Sequence, residues 1–180
     1  MTTVYRVLAN VMKFNWFFTE VPEYQSYVLS KFHGYSVRDE WRVEGLYWDS
    51  PLLPKGDLVA YVTNTVFAFK QELIGSHRQV RSIFEATGEM LPFTFDGDKY
   101  RVFNCINAIS ALDKEKTKFN STGSTIYEYA FHRKRLGRSL FTIPETRELL
   151  CVQGIVAPED EFKGYVEKHK LTGLIFEKLW

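Results

Sequence analysis

The residues with the chemistry to react are few and far apart. Cys105 and Cys151 are the only thiols. A thiol reacts as its thiolate and needs a neighbouring base that a third group orients. Each cysteine sits inside an apolar run with no motif around it, which reads as a buried free thiol in a reducing compartment. The histidines His33, His77, His132 and His169 are scattered, and no two stand three or four residues apart. Without clustered ligand spacing a metal site is not expected, and each histidine reads as a surface or capping residue. No serine occupies a Gly-x-Ser-x-Gly elbow. Asp96-Gly97-Asp98 has the carboxylate spacing that opens a calcium loop but lacks the later ligands, so it reads as a tight turn. The eleven glycines are dispersed and Gly-x-Gly does not occur, which disfavours a phosphate cradle. The expectation is a protein without catalytic residues, metal or cofactor. An enzyme assembled from scattered residues, with a histidine brought beside Cys105 or Cys151 by the fold, stays open as an alternative.

What remains is binding chemistry. Aromatic residues make up 16% of the chain, and most of that ring area is expected in the core. Trp16, Phe18, Trp41 and Trp48 lie in the least regular part of the sequence and are the candidate anchors of a protein interface. The second candidate is the basic run from His132 to Arg138, with Arg133, Arg135 and Arg138 as its partner-binding residues. That run reads as a solvated hairpin loop, as a patch for an acidic protein, or as a nucleic-acid contact. Net charge is +1 and the isoelectric point about 7.7, so no global field recruits nucleic acid or an anionic membrane.

The elements that must position these residues are legible in part. The chain has 180 residues, enough for one domain that buries a core without disulfide or metal. The start lacks a signal peptide's basic and apolar regions, and no window is long and apolar enough to span a bilayer, so a cytoplasmic location is expected. Residues 1–57 predict short strands and irregular structure. Leu58–Val62 and Val66–Phe69 predict strands. Ser76 with Gln79 three residues on has a capping-box pattern, followed by Val80, Ile83 and Phe84 at helical spacing and Gly88 as the end cap. Leu91–Phe95 and Tyr100–Ile106 predict a hairpin around Asp96-Gly97.

Lys114–Thr125 predicts a helix end and surface loop, and Ile126–Phe131 and Ser139–Ile143 predict strands. Leu149–Val156 predicts a strand, Pro158 the first position of a helix, and Leu174–Phe176 a closing strand. Phe162, Tyr165 and Val166 repeat the earlier helical stripe, so the chain holds two similar strand–helix–strand units, by duplication or by coincidence. The fold class expected is α+β, with mixed or antiparallel sheets and a few short helices.

Two stretches together resemble a known family. Tyr100-Arg-Val-Phe-Asn104 is followed by Ala111-Leu112-Asp113 and Thr117. The ending runs Gly154-Ile-Val-Ala-Pro, a helix, then Leu171-Thr172-Gly173-Leu174-Ile-Phe176 to Trp180. This pairing resembles a family of small bacterial proteins first catalogued as a domain of unknown function and now grouped with the immunity proteins of polymorphic-toxin systems. The likeness runs over roughly residues 58–180, leaving 1–57 as an irregular or β-rich N-terminal part. The sequence departs from the family at Ala157, where a serine cap often stands. The resemblance implies a stoichiometric binder of a cognate toxin and brings no catalytic residues. Asn104 and Asp113 read as structural, being types that hydrogen-bond local backbone at turns and helix starts, with a functional role as the alternative.

Overall fold

The computed structural model describes residues 1–123 and 125–180. Strand β1 (Thr3–Ala9) is followed by β2 (Phe17–Thr19), helix α1 (Pro22–Lys31), β3 (Leu46–Trp48), β4 (Val59–Tyr61) and β5 (Thr63–Lys70). Helices α2 (Gln71–Ser76) and α3 (Arg78–Thr87) lead into the hairpin β6 (Gly88–Phe95) and β7 (Asp98–Cys105). Short strands β8 (Lys118–Phe119), β9 (Ile126–Glu128) and β10 (Leu140–Thr142) precede β11 (Leu149–Gln153), α4 (Phe162–Lys168) and β12 (Leu174–Lys178). The fold is α+β, as the patterning implied.

Two sheets carry the structure. One has six strands in the order β3-β2-β4-β5-β7-β6, the other four in the order β10-β11-β1-β12, and β8–β9 stands apart as a pair. Neighbours are antiparallel except β2 and β4. The central strands of both main sheets are buried on both faces, and the period of two assigns each side chain to its layer. Along β5, Phe67 and Phe69 enter the core between the sheets, while Val66 and Ala68 face the layer under α1. Along β11, Leu149 and Cys151 face that shared core, while Leu150 and Val152 face the layer built from residues 109–143. Helices α3 and α4 fill the shared core through the two expected stripes, and Phe84 lies 5.6 Å from Phe162.

The two strand–helix–strand units share a spatial plan. Strands β5 and β6 flank β7, and β11 and β12 flank β1, with helices on the connection in each case. The central strand follows its unit in the first and precedes it in the second, so the plans match while the chain orders do not.

Several expectations are corrected. Residues 1–57 contain a ten-residue helix, α1, beyond the strands expected. Ser76 does not cap α3: it ends α2, His77 stands at the N-cap, and no side chain bonds there. Gly88 is the C-cap of α3 as expected, its amide donating to the Phe84 carbonyl, but with extended rather than left-handed backbone, because the chain passes straight into β6. Lys114–Thr125 ends in β8 and its turn, not in a helix. Pro158 opens a 3-10 turn, Pro158–Asp160, and α4 starts only at Phe162. The hairpin turn is as read, with Asp96 and Gly97 both at positive φ, the geometry of a two-residue turn between twisted strands.

Candidate functional site

His33 and Cys105 have their side-chain polar atoms occupied within the fold. His33 is buried, at 2% exposure, and both its ring nitrogens meet backbone. Its Nε2 lies 2.8 Å from the Thr65 carbonyl, which can only accept, so Nε2 carries the proton. Its Nδ1 then accepts the Cys105 amide N–H at 3.3 Å. Burial pulls the imidazole down to about 4, against an ordinary value of 6.5. The fold thus does place a histidine beside Cys105, but with no free nitrogen to take a thiol proton. The Cys105 thiol donates to the Thr87 carbonyl at 3.4 Å, and burial pushes its pKa up to about 12. Burial also raises the Cys151 thiol, and both cysteines are free. Reading His33 as a surface or capping residue is corrected; its neighbours are far away in sequence.

The same region shows why Asn104 matters. Its Oδ1 accepts the His33 amide at 2.7 Å, and its Nδ2 donates to Tyr35 O at 2.7 Å and to Glu89 Oε1 at 2.8 Å. Glu89, 3% exposed on β6, also accepts from the Val37 amide and the Ser36 hydroxyl, each at 2.8 Å. These two side chains hold residues 33–37 against the hairpin. Asp113 accepts the Lys116 amide at 3.3 Å, pairs with the Lys116 ammonium at 3.2 Å and lies 3.8 Å from His132 Nδ1. Glu161, 1% exposed, accepts the amides of Gly154, Ile155 and Val156 and ties down the turn before α4. Sequence reading missed Glu89 and Glu161 as anchors. The His77 and His169 rings lie 5.5 Å apart, and Tyr165 stacks on His169 at 4.1 Å with its hydroxyl 3.2 Å from His77 Nδ1. Among the described residues no group of three or more His, Cys, Asp or Glu is placed to hold a metal ion.

The four aromatic candidates divide by face. On the β2–β3 ribbon, Phe17 pairs with Trp48 and Phe18 with Tyr47. Phe17 and Trp48 stack at 4.0 Å on the core side, with Lys55 4.6 Å above the Trp48 ring. Trp41 packs on Phe32 and Tyr61, and its Nε1 donates to the Pro92 carbonyl at 2.7 Å. Trp41 and Trp48 therefore serve the layer under α1. Trp16 and Phe18 face the other way. Trp16 lies 5.0 Å from Phe18, and Phe18 5.9 Å from Tyr47, in a row of half-buried rings outside all three core clusters. Tyr47 belongs to this row and was missed; its pairing with a candidate across a ribbon is visible only in the fold. Its phenol is held above the ordinary range by desolvation and by the nearby charges of Glu20 and Asp49. Two carboxylates, Glu20 and Asp49, thus lie near Tyr47.

The basic run is not one patch. It is not a hairpin loop either, since β9 pairs with β8 and β10 with β11. A 3-10 turn at Arg133–Arg135 splays the side chains. Arg133 borders a hollow beside Trp180, Arg135 donates to the Ser110 carbonyl at 2.8 Å, and Arg138 donates to the Ala86 carbonyl at the end of α3. Three arginines aimed at three places do not form a phosphate track.

No helix among the described residues is long and apolar enough to cross a membrane. Comparison with protein-family models, with curated proteins and with solved structures finds no match to this chain.

Proposed function

We propose that this chain is a non-catalytic binding protein of the immunity type, which neutralises a cognate toxin by covering it. The observation that carries the reading is the outward row of Trp16, Phe18 and Tyr47, which no core layer uses. Tyr and Trp at the centre of a patch supply large contact area at small entropic cost and concentrate binding energy. Glu20 and Asp49 near Tyr47 favour a partner with lysine or arginine at that side of the patch. The occupied nitrogens of His33 and the raised thiols of Cys105 and Cys151 support a binder over a cysteine enzyme. The resemblance across residues 58–180 supports the same reading, and a reducing, cytoplasmic setting agrees with two free cysteines.

The experiment is co-expression with the product of the gene adjacent to the one encoding this chain. The intact chain should abolish the toxicity of that product and bind it in a one-to-one complex. The double substitution Trp16→Ala, Phe18→Ala should weaken the complex at least ~10-fold while leaving the melting transition in place. Full protection by the double variant with unchanged affinity would remove the ribbon from the interface.

A further inference from the structure

Three arginines from three separate segments line one cavity of about 420 Å³: Arg38 in the turn after α1, Arg81 on α3 and Arg101 on β7. Two of them have carboxylates. Arg81 Nε lies 2.8 Å from Glu85, and Arg38 Nε lies 3.8 Å from Glu89. Arg101 forms no ion pair among the described residues. Its terminal nitrogens reach only neutral acceptors at the limit of hydrogen-bond distance, the Met90 carbonyl and Gln71 Oε1, both at 3.4 Å. Its Nε is buried and has no partner. Glu89 does not turn to it, because that carboxylate already accepts from Ser36, Val37 and Asn104.

A half-buried guanidinium left this way is an unusual arrangement, since unmet donors on a charged group are costly. The missing acceptor has a definite shape and charge. The two terminal nitrogens, whose present acceptors are neutral and at the limit of distance, present parallel N–H groups that match the two oxygens of a carboxylate. Three guanidiniums against two carboxylates leave a single positive charge in the cleft, which one carboxylate neutralises and a phosphate dianion overshoots. Ile74 and Met90 add an apolar wall beside these charges.

We propose that this cleft binds a carboxylate carried on a short apolar stem, held bidentately by Arg101. The carboxylate comes either from a free small acid or from a glutamate side chain of a protein partner. The site stands on its own geometry and does not depend on the aromatic ribbon.

The test is a titration of the full-length, isotope-labelled protein, following the arginine Nε–H resonances by NMR at fixed ionic strength. The probes are butyrate, glutamate blocked at its amino and α-carboxyl groups, inorganic phosphate and chloride. The Arg101 Nε–H signal should move saturably with butyrate, and binding should weaken at least ~10-fold in Arg101→Gln. Arg101→Lys, which keeps the charge but not the fork, should also weaken it, and guards against a Gln variant that does not fold. Lys99→Gln, a charge change on the same strand outside the cleft, should leave it unchanged. Blocked glutamate binding alongside butyrate supports the site and admits a side chain; binding of butyrate alone supports it as a small-acid site. Shifts that match those of chloride, tighter binding of phosphate than of butyrate, or unchanged binding in both Arg101 variants would overturn the assignment.

Discussion

Asn104 and Glu89 show how single buried polar groups decide the course of a loop. Besides bonding to each other, each hydrogen-bonds within residues 33–37, more than fifty positions away in sequence. Truncating either one strands buried donors and acceptors without removing their need for partners. Asn104→Ala should therefore lower stability by about 2–3 kcal/mol in urea denaturation, with faster amide exchange at residues 33–37. A loss below ~0.5 kcal/mol would mean that water replaces the side chain. His33 adds a pH dependence of fixed sign. In the unfolded chain it titrates near 6.5, while burial holds the folded form near 4. Above 6.5 both states are neutral and the histidine is silent. As pH falls below that value only the unfolded chain takes up the proton, so stability declines until the folded form protonates near 4. The decline amounts to about 3 kcal/mol. Urea midpoints at pH 7 and 4.5 should fall further apart in the intact chain than in His33→Gln, and parallel behaviour would contradict the burial of a neutral imidazole.

At the scale of elements, the helices are held by packing rather than by their starts. Among the described residues, none of the four α-helices is bonded by its own N-cap side chain, though the first amide of α4 donates to Ser139 Oγ. Ser76→Ala should accordingly cost less than ~0.5 kcal/mol, where a true cap would cost about 1 kcal/mol. Gly164 shows the opposite balance. Alanine would raise helix propensity by about 1 kcal/mol, but a Cβ there would overlap the Pro158 carbonyl. Gly164→Ala should destabilise by ~2 kcal/mol or more despite the better propensity, as a melting curve would show.

The elements that could be read were those with local signals. The stripes Val80-Ile83-Phe84 and Phe162-Tyr165-Val166 repeat at helical spacing, and Asp96-Gly97 marks a turn by its own backbone chemistry. Helix α1 had comparable cues, Pro22 at its start and Tyr24, Tyr27 and Val28 on one face. The surrounding density of aromatic residues hid them. Anchors such as Glu89 carried no sequence signal, because an acid on a strand normally faces water and its partners are set by the fold.

At the scale of the molecule, the high aromatic content has two uses. Most rings fill layers on both faces of two sheets, which explains why Trp41 and Trp48, attractive as interface anchors in sequence, turn inward. The two sheet ends differ accordingly. The β6 edge is blunted by Pro92, which has no N–H, and by Trp41 bonded to its carbonyl. The β2–β3 end instead carries the row of Trp16, Phe18 and Tyr47 on its outer face. Which of the candidate aromatics faces outward was not legible, since the alternation along a ribbon tells the faces apart but not which one the rest of the chain covers.

The most direct measurement of the central claim is calorimetric titration of the purified adjacent-gene product into this chain and into the Trp16→Ala, Phe18→Ala variant. The account requires one-to-one binding that is at least ~10-fold weaker for the variant, with both proteins equally folded. Equal affinities, or no heat of binding to a product that this chain nonetheless disarms at substoichiometric amounts, would contradict it.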